Sequence, residues 1–206
     1  PLSIAQAKGT LYVGTVNGVL QWSGTAWSEL GPNGSRVNAI ALATDGSLVV
    51  ATERQGVQRL KAGKWTATME STSFADRRAL ALTTDAAGSV YAGLASGLQL
   101  PTSLLASGPS GRSQTDVNAA LNVSLGAAAI QHVVATRNDT YALIEGQGIY
   151  SRVGRSNRWE AVNDGLDDEP VRLAGSDTAA YVLTASGSIF SFRAPTSSAG
   201  AWVKLT

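Results

Sequence analysis

Apolar and polar positions in this chain come in short bursts that return at regular intervals. Near the start, "LYVGTVNGVLQW" (Leu11–Trp22) sets two apolar runs on either side of "VNG", the pattern of two short strands joined by a tight turn. Four further stretches share its layout: "LVVATERQGVQRL", "VYAGLASGLQL", "TYALIEGQGIYSR" and "AYVLTASGSIFSF". Aligned on Tyr12, Val49, Tyr91, Tyr141 and Tyr181, the copies stand 37, 42, 50 and 40 residues apart. A glycine follows each anchor by five to seven positions, and an apolar residue comes soon after: Val19, Val57, Leu98, Ile149, Ile189. Glycine there admits a positive φ, which lets the chain reverse and begin a second strand.

Two more elements recur in phase with this hairpin. Upstream lie the Ala-rich runs "LSIAQA", "VNAIALATD", "ALALTTD", "QHVVATRND" and "VRLAGSD". Runs apolar on both faces predict a fully buried strand closed by a turn former. Downstream lie Trp27, Trp65, Trp159 and Trp202, each after a polar turn; the third copy lacks its Trp and offers "VNAALNVSL" instead. The repeating unit is thus four short strands, and no copy shows a sustained 3.6-residue apolar period. Four-stranded units repeating every 40–50 residues predict an all-β fold, a β-propeller of four-stranded antiparallel blades. With 206 residues and five copies, the reading is one β-propeller domain of five blades at about 1–35, 36–76, 77–128, 129–168 and 169–206. The chain opens on a first strand and closes on a fourth, so ring closure is expected from packing of the first blade on the last. The competing architecture is part of a larger ring.

The unit resembles BNR or Asp-box-like propeller repeats, most clearly in "VNAIALATDGSLVVATERQGVQRL", with "RSNRWEAVNDGL" as a worn Asp-box strand. The full Asp-box pattern, Ser-x-Asp-x-Gly-x-Thr-Trp, is intact in no copy. The resemblance implies a propeller; families with such repeats include sialidases, xyloglucan hydrolases, sorting-receptor ectodomains and photosystem assembly factors, which share a fold and not a function.

Composition narrows the classes. Hydrophobic residues are 44% of the chain, enough for a core, and charged ones only 15%. The net charge of +1, without a run of either sign, gives no footprint for nucleic acid. No window approaches 18 consecutive apolar residues, so no membrane span is predicted. There is no Cys, which removes disulfides and thiolate metal sites. "PLSIAQAKG" has neither the basic nor the apolar region of a signal peptide, and a start at Pro1 fits a trimmed, exported product, periplasmic or extracellular.

Enzyme chemistry finds little support in the residues. A glycosidase needs two carboxylates near the channel, yet the five inner strands hold no internal Asp or Glu. Asp45, Asp85 and Asp177 fall at strand ends, where turn formation accounts for them. Arg137 and Arg172 are the inner-strand arginines, short of the three that a sialidase needs. His132 is the sole His, no metal-ligand spacing surrounds it, and "DGLDDE" (Asp164–Glu169) reads as a solvated loop. No catalytic, cofactor or metal residue is therefore assigned. The recurring Tyr and Trp positions are expected between blades. The residues that do not recur are the candidates for contact with a protein partner: Trp22, Phe74, Arg77 and Arg78, then Leu100, Leu104, Leu105 and Arg112 in the long third-repeat excursion. A non-catalytic interaction scaffold is the leading expectation. A carbohydrate-binding, lectin-like propeller, with Trp rings stacked on sugars, comes second and a glycoside hydrolase third.

Overall fold

A computed structural model of the protein describes residues 2–7, 9–43, 45–67, 77–85, 89–99, 128–152, 159–193 and 200–205. Among them the chain is all strand and turn, in five antiparallel sheets that follow one another along the sequence. Blade 1 holds β1 (Ser3–Ala7), β2 (Thr10–Thr15), β3 (Gly18–Trp22) and β4 (Trp27–Gly31). Blade 2 holds β5 (Val37–Leu42), β6 (Leu48–Thr52), β7 (Gly56–Lys61) and β8 (Lys64–Ala67). Blade 3 shows β9 (Ala79–Thr84), β10 (Val90–Leu94) and β11 (Gly97–Gln99); the stretch expected to supply its fourth strand lies outside the described residues. Blade 4 holds β12 (Ile130–Ala135), β13 (Thr140–Ile144), β14 (Gly148–Arg152) and β15 (Trp159–Ala161). Blade 5 holds β16 (Pro170–Gly175), β17 (Ala180–Thr184), β18 (Ile189–Arg193) and β19 (Ala201–Lys204). Each blade is a meander in which sequence neighbours pair, so the pattern of the opening hairpin becomes the β2–β3 pair, with Leu11 opposite Trp22 and Thr15 opposite Gly18.

In the three interior blades the most buried strand is the second, not the first. All of β6, β10 and β13 is buried, whereas β5 is half-buried and β16 largely exposed. The expectation of fully buried Ala-rich runs is corrected accordingly. A second strand is hydrogen-bonded along both edges and covered by a blade on either side; a first strand has one edge on the axial opening, which is wet.

Four apolar clusters hold successive blades together. Val19 and Tyr12 of blade 1 meet Val37, Val50 and Trp65 of blade 2. Val49 and Val57 meet Ala79, Val90 and Ala92 of blade 3. Tyr91 and Leu98 meet Val133, Ala142 and Trp159 of blade 4, and Tyr141 and Ile149 meet Leu173, Val182 and Trp202 of blade 5. The anchor residues thus face the following blade, and the residues next to them face the preceding one. Two indoles also bond backwards: Trp65 Nε1 donates to Leu30 O of blade 1 at 2.7 Å, and Trp202 Nε1 to Val162 O after blade 4 at 2.6 Å. Close approach is built into the sequence at Gly93, where a Cβ would stand 2.7 Å from Ile130 O of the next blade.

The fifth interface, blade 5 on blade 1, is missing among the described residues. First strands pack β1 on β5, β5 on β9, β9 on β12 and β12 on β16, with nothing comparable from β16 to β1. Among the described residues, the packing of first blade on last through which the ring was expected to close is not present. Positions packed into the apolar clusters of the interior interfaces stand open at the two ends: Ile4 is 66% exposed and Ile189 48%.

Candidate functional site

The inner strands begin at one end of the sheets, the same end that carries the β2–β3 and β6–β7 turns and the connections between blades. Four of the five inner strands carry a β-bulge at this end, with Asn38, Leu80, Gln131 and Val171 as the extra residues. A bulge re-aims the side chains next to it, and its fourfold repetition sets an arc of bulges at the channel mouth. Below it, β5, β9, β12 and β16 line an axial cavity of about 270 Å³, with Gln131 and His132 among its walls.

Beside the mouth, blades 1–3 frame a wider concavity of about 600 Å³, bordered by Asn17, Arg36, Asn38, Glu53, Arg54 and Leu80. Asn38 is its hub. Its Nδ2 donates to Glu53 Oε2 at 2.9 Å and to Ala79 O of blade 3 at 2.8 Å, and its Oδ1 accepts from Arg36 Nε at 3.1 Å. The bulge frees the Asn38 side chain from the ladder register; its bond to Ala79 O ties blade 2 to blade 3, and its bond to Glu53 braces the β6–β7 turn of its own blade. Arg78 Nε lies 4.0 Å from Glu53 Oε1, and Arg54 N donates to Ser35 Oγ at 3.1 Å. Arg77 is exposed, its carbonyl near the Gly56 turn of blade 2. One half-buried carboxylate, Glu53, thus lies in a concavity lined by Arg36 and Arg54, with Arg78 as its ion-pair partner.

The candidates from the sequence separate into two groups. Arg78 reaches this rim through Glu53, and Arg77 is the exposed residue before it. Trp22 does not: it ends β3 at the opposite face, half-buried, its ring 5.2 Å from that of its cross-strand partner Trp27. Phe74, Leu100, Leu104, Leu105 and Arg112 lie outside the described residues. Arg36, Asn38, Glu53 and Arg54 were not singled out by sequence. The one signal pointing to them is Asn38 itself, a polar residue within the otherwise apolar "VNAIAL".

The remaining polar features have local explanations. Asp45 Oδ1 accepts from Ser47 Oγ and N, which holds its carboxyl below the usual range, with help from Arg59 and Lys61. Asp85 Oδ1 accepts from Ser89 N at 2.8 Å. Both serve turns, as their positions suggested. Arg137 is not on an inner strand; it lies in the turn after β12, where its N donates to Asp177 O at 2.7 Å. Burial, and then the charge of Arg172, depress the pKa of His132. In the "DGLDDE" loop, Asp167 pairs with Lys204 at 2.9 Å on the surface. Among the described residues no group of three His, Asp or Glu could hold a metal ion. No helix of the structure is long and apolar enough to cross a membrane.

No protein-family model matches the chain, and no curated protein matches it. Solved structures do match. The extracellular domain of a hybrid two-component system, BT3049 of B. thetaiotaomicron, superposes with a TM-score of 0.72 at 14% identity, over 98% of this chain and 29% of that one. Virginiamycin B lyase from Staphylococcus aureus, solved as an inactive variant with quinupristin, gives 0.68 at 14% identity, over 100% of this chain and 70% of that one. YCF48 bound to D1 peptide gives 0.63 at 13% identity, over 98% of this chain and 65% of that one. These neighbours are β-propellers, and at such identities they speak for the fold alone. The chain spans about a third of the sensor domain's length and about two thirds of the other two.

Proposed function

We propose that the protein is a non-catalytic interaction module that binds an acidic segment of a protein partner at the channel mouth, within an exported assembly. The observation that carries this reading is the concavity framed by blades 1–3, lined by Arg36 and Arg54 together with one carboxylate, Glu53, which Arg78 approaches to 4.0 Å. Guanidiniums held on rigid strand ends and short turns present forked donors that suit carboxylates, and a concave cationic rim raises the on-rate of an anionic partner. YCF48 with its D1 peptide offers a precedent for peptide recognition on this fold, and the sensor domains offer one for work outside the cytoplasm.

Two features weigh against the alternatives. A lectin of this fold needs aromatic pockets repeating blade by blade, whereas the indoles of Trp65 and Trp202 are spent on main-chain carbonyls between blades. A glycosidase needs paired carboxylates in the channel, and the described inner strands carry none. The test is fluorescence anisotropy of the 206-residue protein with labelled dodecapeptides, one Asp/Glu-rich and one Lys-rich. The acidic peptide should bind saturably, weaken as salt rises, and lose binding in Arg36→Glu/Arg54→Glu. Equal binding of both peptides, or indifference to the charge reversal, refutes the site.

A further inference from the structure

We propose that the open face of blade 1 and the open face of blade 5 are inter-blade interfaces that receive further four-stranded blades of this same repeat, supplied by polypeptide outside these 206 residues. The case rests on position-by-position equivalence. Ile4, opposite Val13 on β1, holds the place of Ile40, Val133 and Leu173, each packed into the cluster it shares with the blade before it. Ile4 has no blade before it and is exposed. At the other end, Ile189 holds the place of Val19, Val57, Leu98 and Ile149, all buried against the blade after them. Ile189 has none after it.

Trp27 says what the missing neighbour must offer. It holds the place of Trp65 and Trp202, whose indole N–H groups reach a carbonyl at the end of the preceding blade. Trp159 belongs to the same series: its Nε1 is buried with no partner, and the matching acceptor position in blade 3 falls outside the described residues. Trp27 is 49% exposed and turns instead onto Trp22. The occupant is therefore a sheet that ends in an apolar face and a main-chain carbonyl, which describes the last strand of another blade.

Closed propellers hold about four to eight blades, so five blades that leave a gap need one to three more. The five match 70% of virginiamycin B lyase, and the part of that chain left over has room for about two blades of this size. A second copy of this chain would bring five blades and overfill the ring.

Two further copies of residues 162–206, joined in tandem after Thr206, make the probe; each carries its own Val162 and inter-blade connection. Acrylamide quenching and emission of Trp27 are isolated by subtraction of a Trp27→Phe variant. In the extended protein the Trp27 emission should shift to the blue, its quenching should fall, and Tm should rise. In the 206-residue protein Trp27 should stay quenchable, sedimentation should give a monomer, and Ile4→Lys or Ile189→Lys should leave Tm unchanged. Should the extended chain fail to fold, the lysine variants still decide. A Tm loss from them as large as that of Val133→Lys would mean that both faces are already packed. Unchanged Trp27 quenching in a folded extended protein overturns the proposal. So does a dimer of the 206-residue protein that Ile4→Lys dissociates, because a second copy would then be the occupant.

Discussion

Trp202 and Trp27 occupy one position of the repeat in two different circumstances, so replacing each by Ala measures what a neighbouring blade contributes. Trp202 is 3% exposed, its ring 5.1 Å from Phe192 and 6.3 Å from Tyr141, and its N–H bonded to Val162 O. Truncation empties a packed site and strands a carbonyl, at a cost of about 3–5 kcal/mol. Trp27 keeps half its surface in water, and its one ring partner is Trp22. Its truncation forfeits an aromatic pair, about 1 kcal/mol. The expected gap is about 3 kcal/mol, roughly 6–12 °C in Tm for a domain of this size. Urea unfolding followed by far-UV circular dichroism reads it directly, since the signal does not depend on which Trp is removed. A gap below about 1 kcal/mol would refute the assignment of these indoles as inter-blade contacts.

Two smaller perturbations probe the frame. Gly93→Ala places a Cβ 2.7 Å from Ile130 O and 2.9 Å from its Cγ2, and the backbone oxygen has little room to move. A loss of about 1–3 kcal/mol is expected, and a neutral result in thermal unfolding would mean that blades 3 and 4 sit further apart. His132 has a folded pKa below its unfolded 6.5, from burial and the nearby Arg172. Above pH 7 both states are neutral. As pH falls through 6.5 the unfolded chain takes the proton first, so stability drops until the folded pKa is passed. Urea midpoints between pH 7.5 and 5 should slope downward in the parent and less so in His132→Gln; equal slopes would remove His132 as the cause.

The repeat was legible because blades answer to periodic constraints. Tyr91, Tyr141 and Trp202 recur since each interior interface makes the same demand, and Gly18, Gly56, Gly97 and Gly187 recur since each hairpin turns through a positive φ. The burial of first strands was misread because Ala-rich runs look alike whether a face meets a blade or an axial cavity; period and hydropathy carry no term for wetting of the channel. The cationic mouth was half-legible. Arg77 and Arg78 stand out in the sequence as a pair in a polar connection, but Arg36, Glu53 and Arg54 sit 23 or more residues from them, and Glu53 meets Arg78 only because blade 2 turns back beside blade 3.

Departures from the repeat therefore carry most of the functional information, and they come in two kinds. Asn38 departs by identity: a polar residue at a bulge shared by four inner strands gathers Arg36, Glu53 and the Ala79 carbonyl across two blades. Ile4, Trp27 and Ile189 conform in identity and depart only in circumstance, since each has the side chain an interface needs and lacks the interface. Sequence alone cannot separate conforming residues that are buried from those that are not. Trp22 belongs to the second kind at one remove. In the sequence it is a non-recurring aromatic and a candidate partner contact; the structure pairs it with Trp27, an indole with no preceding blade to enter among the described residues. Its candidacy as a partner contact is thus tied to the blade 1 edge, about one strand length away from the arginine rim, and a blade seated there would draw Trp27 off it.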